Sequence, residues 1–146
     1  MRKVAYRYRD DIALADVAFE AWGTSVEEVF ISAADATMNV MVEDLGTIGR
    51  SEELTIELEH DQLDLLLFSF LNELIFLKDA RQLLLRVKSL SIRRAGEKSI
   101  LKGVVYGEGI DPQKHPLRVD VKAVTLHRFN LRQTDAGWEA SVILDI

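Results

Sequence analysis

The sequence predicts an α+β domain, with two helices packed on a mostly antiparallel β-sheet in a two-layer, single-domain arrangement. Three observations predict it. Apolar residues recur at every second position near both ends of the chain and between the helices, as in half-buried strands. Two longer stretches, beginning near Ser25 and Leu63, carry apolar residues at helical spacing or density. The order runs strands, helix, strand, helix and then a series of strands separated by tight-turn signals. A chain of 146 residues suits one domain over residues 1–146. No internal repeat, low-complexity tract or linker divides it.

In order, Val4, Tyr6 and Tyr8 alternate with Arg7 and Arg9 as a first strand, interrupted by Asp10 and Asp11. From Val17 the segment ending at Trp22 alternates again and stops at Gly23, a turn residue. Thr24 followed by Glu27 reads as a capping box for a helix from about Ser25 to Met41. Residues 43–49 form a connection. Leu54, Ile56 and Leu58 alternate with glutamates in a strand with one acidic face. Asp61 is the expected cap of a second helix, Leu63 to Leu77, read as the central buried helix and ended by Lys78-Asp79. Leu83 to Ile92 continues as a strand and Ala95-Gly96-Glu97-Lys98 as a hairpin turn. Ile100 to Gly109 returns as a strand loosened by Gly103 and Gly107. Pro112 and Pro116 mark a loop around His115. Val119, Val121 and Ala123 alternate, and Leu126 to Leu131 is a further strand. After the turn Thr134-Asp135-Ala136-Gly137, the last strand runs from Trp138 to Ile146.

Composition narrows the function classes. The chain is 48% hydrophobic, which is enough for a core without covalent staples. It contains no cysteine, which removes disulfides, thiolate zinc sites, iron–sulfur clusters and thiol nucleophiles and fits a reducing cytoplasm. A formal net charge of −6 argues against broad nucleic-acid binding, which needs clustered Lys and Arg. No apolar run is long enough to span a membrane, and no signal-peptide core follows the first residues. A soluble cytoplasmic protein is expected.

Few residues announce chemistry. His60, His115 and His127 are too widely spaced to pair as metal ligands, and each reads as a solvated or hydrogen-bonded histidine. The stretch Gly103 to Gly109 lacks the Lys and the following helix of a phosphate loop. No serine sits in an elbow motif. Two acids stand out by position: Asp16 beside Val17, and Asp145 within Val142-Ile143-Leu144-Asp145-Ile146. An acid in an apolar strand is costly unless paired or bound to a cation. The carboxylate of Ile146 adds a third oxygen anion. Such a donor set suits Ca²⁺ or Mg²⁺. The ordinary alternative is that both acids are solvated at strand ends.

Several segments resemble the archease family in order and with compatible spacing. They are Asp16 to Gly23, Thr24 to Phe30, Leu71 to Phe76, Gly107 to Pro116, Lys122 to His127 and Val142 to Ile146. One departure stands near the start. The family usually has His-Thr-Ala-Asp where this chain has Ala13-Leu14-Ala15-Asp16, so the histidine is replaced by Ala13, and its contribution is either absent or supplied elsewhere, by Asp10 or Asp11. A second is Phe70, where the family often has Trp; it reads as packing.

The resemblance implies a role that composition does not. Archeases are accessory proteins, not enzymes. They activate the RtcB-type RNA ligase of tRNA splicing and RNA repair, promoting guanylylation of the ligase and its multiple turnover. Carried over residue by residue, the family's metal ligands fall on Asp16, Asp145 and Ile146, with Ca²⁺ the first expectation and Mg²⁺ or Mn²⁺ the alternatives. The family's activating basic residue falls on Lys122. The resemblance also implies an alternative, a chaperone-like modulator of a tRNA methyltransferase.

Overall fold

The structure is a computed structural model that describes residues 5–9 and 16–146. Asp10, Asp11 and Ala13, on which the replacement of the family histidine turns, lie outside the described residues.

The chain runs β1 (Tyr6–Tyr8), β2 (Val17–Gly23), α1 (Val26–Met41), a short 3-10 turn (Leu45–Thr47), β3 (Glu52–His60), α2 (Leu63–Arg81), β4 (Leu83–Ala95), β5 (Lys98–Gly109), β6 (Ala123–Thr134) and β7 (Gly137–Asp145). Two antiparallel sheets form, a four-stranded one in the order β1-β2-β7-β6 and a three-stranded one in the order β3-β5-β4. The two helices join them. Helix α1 packs on β2, β7 and β4, whereas α2 packs on β6 and on all three strands of the smaller sheet. The α+β class expected from the pattern is the class observed.

The more enclosed helix is α1, not the Leu-rich α2 read as central. Between Val29 and Met41 only Ile31 and Asn39 escape full burial. The cause is side-chain size: Ser32, Ala33, Ala34 and Ala36 let the helix sit between sheets on several sides at once. Its apolar anchors are Val29, Phe30, Met38 and Met41, and Phe30 lies against Phe70 of α2 with ring centroids 6.1 Å apart. Phe70 is thus a core residue. A charge enters the interior on α1: Asp35 meets Arg86 of β4 through two bonds of 3.3 and 3.2 Å. The pairing offsets the cost of burying the carboxylate.

The start of α1 is shifted by one residue from the expected capping box. Ser25 is the N-cap, accepting from the Glu28 N–H, and Glu28 reaches back to the Ser25 N–H. Both Thr24/Glu27 and Ser25/Glu28 satisfy the spacing rule. Strand β2 continues through Gly23, so the chain turns late. A Cβ at Gly23 would stand 2.6 Å from the Glu28 Cβ, so only glycine permits this approach.

Helix α2 also departs from expectation at both ends. Its N-cap is Gln62, which makes no side-chain cap bond; Asp61 does not cap it. Its C-terminus lies past Lys78-Asp79, at Arg81, and Gln82 closes it in the left-handed region at φ 55°. The polar pair Lys78-Asp79 reads as a stop only if Lys78 faces solvent, and it does not.

In β5, Gly107 does not loosen the strand. A Cβ there would lie 1.8 Å from the Leu84 carbonyl oxygen, so glycine lets β4 and β5 pair closely. The last departure is at residues 118–122. Their alternation predicts a strand, but no regular ladder forms until Ala123, from which β6 runs unbroken to Thr134 past a register shift between Thr125 and Asn130.

Candidate functional site

Strand register brings the sequence-predicted residues to one end of the four-stranded sheet. Strand β2 pairs with β7 through Val17↔Leu144, the last pair of that ladder. The next residues outward are Asp16 and Asp145. In an antiparallel pair opposed residues share a face. Strand β6 joins from the other side through Ala123↔Asp145, and the Lys122 N–H donates to the Asp145 carbonyl at 2.8 Å. Lys122 therefore lies beside Ile146, the residue that follows β7. Asp145 and Lys122 are exposed, whereas Asp16 and Ile146 are half-buried, and the Ile146 side chain packs against the core. Val142, Ile143 and Leu144 are buried, so the end of β7 is held in the sheet.

Among the described residues, no group of three His, Cys, Asp or Glu side chains is arranged to hold a metal ion. The candidate set is of another kind: two aspartates and the carboxylate of Ile146.

Residues 118–122 form a strap across the molecule toward this end. Its backbone bonds go to α1 and β7: Arg118 N–H to the Met41 carbonyl at 2.8 Å, Val119 N–H to Val40 at 3.4 Å, and Lys122 N–H to Asp145. The middle of the strap is held by a side chain. Lys78, 3% exposed, donates to Asp120 Oδ1 at 2.5 Å, to the Val121 carbonyl at 2.9 Å and to its neighbour Asp79 at 2.5 Å. Burial lowers the pKa of this ammonium, but the bonds to Asp120 and Asp79 outweigh burial, and it stands above the ordinary lysine value. Beside the strap lies a cleft of about 230 Å³ lined chiefly by Met41, Leu84, Ile110, Leu117 and Val119.

The proline-containing loop is fixed by a second polar node. His115 is 1% exposed. Its Nδ1 accepts from the Asp111 N–H at 2.9 Å, so the proton of the neutral ring sits on Nε2, which donates to Glu108 at 2.9 Å. Glu108 also accepts from the Gly49 N–H at 2.6 Å and from Lys114. Lys114, the Gly49 N–H and His115 together pull the Glu108 carboxyl down to about 2. Of the other histidines, His60 accepts the Gln62 N–H at 3.0 Å and His127 is exposed.

Sequence reasoning missed Lys78. Its signal was present but ambiguous: in the apolar helix, Lys78 keeps phase with the buried Leu71, Leu74 and Ile75.

Comparison with known proteins identifies the family and the fold. The family described as the Archease protein family (MTH1598/TM1083) matches residues 6–146. A protein archease of Pyrococcus furiosus is 37% identical over 133 residues, covering 90% of this chain and 93% of that protein. One of Methanosarcina acetivorans is 36% identical over 135 residues, covering 90% of each. The solution structure of Methanobacterium thermoautotrophicum protein 1598 superposes with a TM-score of 0.85 at 32% identity, over 99% of this chain and 100% of that one. A crystal structure from Thermotoga maritima, described as "an archease, possible chaperone", shares the fold with a TM-score of 0.60 at 20% identity, over 100% of this chain and 98% of that one. With the match running over nearly its whole length, this chain belongs to the archease family.

Proposed function

We propose that this protein is a non-enzymatic activator of an RtcB-type RNA ligase, promoting guanylylation of the ligase and its multiple turnover in the cytoplasm. The observation that carries the reading is the convergence of Asp16, Asp145, Ile146 and Lys122 at one sheet end through the β2–β7 and β6–β7 registers. The first three present only anionic oxygen, a donor set that fits a hard divalent cation such as Ca²⁺, with Mg²⁺ or Mn²⁺ as alternatives. When bound, the cation neutralises the clustered carboxylates and offers positive charge at the surface. Asp16 and Asp145, at the ends of neighbouring strands, would hold it, and the packed Ile146 side chain would keep the third carboxylate in place. Lys122 supplies a compact point charge to a nucleotide phosphate or a ligase carboxylate. Among the described residues, no helix is long and apolar enough to cross a membrane.

The experiment mixes the purified protein with an RtcB-type ligase, GTP and a divalent cation and follows formation of the guanylylated ligase. Faster guanylylation at substoichiometric amounts supports the reading; no acceleration refutes it. Alone, the protein neither joins RNA nor hydrolyses GTP.

A second reading has its own observation. Trp22, Phe76, Leu117, Val119 and Leu126 are large apolar side chains left exposed. They favour a chaperone-like role, with a tRNA methyltransferase as client. Protection of a methyltransferase from aggregation that survives Asp16→Asn and Asp145→Asn, but not Phe76→Ser, would support this second reading.

A further inference from the structure

We propose that Lys78 is a positioning residue, a strut that fixes the strap 118–122 and thereby sets where Lys122 stands against the end of β7. The part concerning Lys122 rests on the proposed activator function; the mechanical part does not. An ammonium has three protons to donate. Lys78 gives them to three acceptors, Asp79 Oδ1, Asp120 Oδ1 and the Val121 carbonyl. Two of those belong to the strap and immediately precede Lys122. The stem of Lys78 rises from the C-terminal end of α2, one turn beyond the buried Leu74 and Ile75. A partial negative charge at that helix end favours a cation there.

The strap needs such a strut because its own backbone is sparsely bonded. Its ends are tied by main-chain bonds at Arg118 and Val119 on one side and at Lys122 on the other. Between them, Val121 is fully buried and its carbonyl is met by Lys78. A buried carbonyl without a donor is costly, so the strap loses its reason to lie down there once the ammonium is gone. The Lys122–Asp145 hydrogen bond is the next link along the chain. Lys78 thus acts through Lys122 and touches none of the candidate cation ligands.

The test uses Lys78→Met, which keeps an unbranched apolar stem and removes the ammonium, and Asp120→Ala, at an exposed position where folding is retained. Amide hydrogen exchange is followed at Lys122 and at Leu101, which lies in the middle strand of the other sheet. Exchange at Lys122 is expected to accelerate about tenfold or more in Lys78→Met, and to a smaller extent in Asp120→Ala, with Leu101 unchanged. Ligase stimulation should fall severalfold in Lys78→Met, and Lys78→Arg should restore part of it. Unchanged exchange at Lys122 in Lys78→Met overturns the proposal. If that variant does not fold, unchanged exchange in Asp120→Ala overturns it. Accelerated exchange with full stimulation, where Lys122→Ala does reduce stimulation, overturns the positioning role. If Lys122→Ala itself leaves stimulation intact, the activator reading of Lys122 fails, and the exchange data still decide whether Lys78 is the strut.

Discussion

The carbonyl of Asp145 accepts the backbone N–H of Lys122 at 2.8 Å, so a proposed cation ligand and the proposed ligase contact are joined through main chain alone. The Lys122 side chain is exposed and can be removed without breaking that bond.

Lys122→Ala is therefore expected to leave stability within about 0.5 kcal/mol of wild type, as for other surface changes. Stimulation of ligase guanylylation should fall. Thermal unfolding and a guanylylation time course on the same preparation check both halves. Full stimulation would make Lys122 an ordinary solvated lysine.

On the proposed reading three carboxylates share the cation, and two like unit charges about 4 Å apart repel by roughly 4 kcal/mol at an effective dielectric of 20. Ca²⁺ should accordingly raise the melting temperature by mass action, with about 2.7 kcal/mol of stabilisation at a hundredfold excess over Kd. A peptide added after Ile146 turns its carboxylate into a neutral amide. Calorimetry should find weaker Ca²⁺ binding to that form than to one extended at the other end. Equal binding by both would remove Ile146 from the ligand set.

Glu108 gives the fold a defined acid response. Its carboxyl is held at about 2 by Lys114, the Gly49 N–H and His115, below the ordinary glutamate value of about 4.3. A depressed carboxyl pKa stabilises the folded state above the unfolded-state value, and that stability is lost as pH falls from about 4.3 toward about 2. Urea titrations of wild type and Glu108→Gln should differ at pH 7 and converge across that window. A gap that does not change with pH would contradict the carboxylate's role in holding the loop.

Gly107 and Gly96 should both be weakened by alanine, but to very different extents. At Gly107 the new Cβ meets the Leu84 carbonyl oxygen at 1.8 Å, so β4 and β5 must separate. A loss of about 3 kcal/mol or failure to fold is expected. At Gly96 nothing lies within 4 Å and only its φ of +63° is strained, at a cost of about 1 kcal/mol. Similar denaturation midpoints for the two variants would contradict the close strand approach.

How much of this was legible in the sequence depended on whether a feature is local. Apolar periodicity located α1, β3, β5 and β7, and the Ala95–Lys98 and Thr134–Gly137 turns follow from their own residues. Choosing Ser25 over Thr24 as the cap needs the point at which β2 releases the chain, which two equivalent capping boxes do not reveal. The alternation of Val119, Val121 and Ala123 is real, since Val121 is fully buried, yet the partners of the strap are α1, Lys78 and β7, none adjacent in sequence. Lys78 looked like a helix stop because an isolated lysine is normally solvated; its acceptors at Asp120 and Val121 lie more than forty positions away in the chain. Asp16 and Asp145 were conspicuous as acids in apolar segments, but their common place at the sheet end follows only from the β2–β7 register.

The most direct test of the central claim is the initial rate of guanylylation of an RtcB-type ligase, measured with wild-type protein and with Asp145→Asn at saturating Ca²⁺. Asp145→Asn preserves the backbone carbonyl that holds Lys122 and removes one carboxylate charge. Marked acceleration by wild-type protein at substoichiometric amounts and near-basal rates with a folded Asp145→Asn variant are expected. Equal acceleration by the two would contradict a carboxylate-held cation as the means of activation.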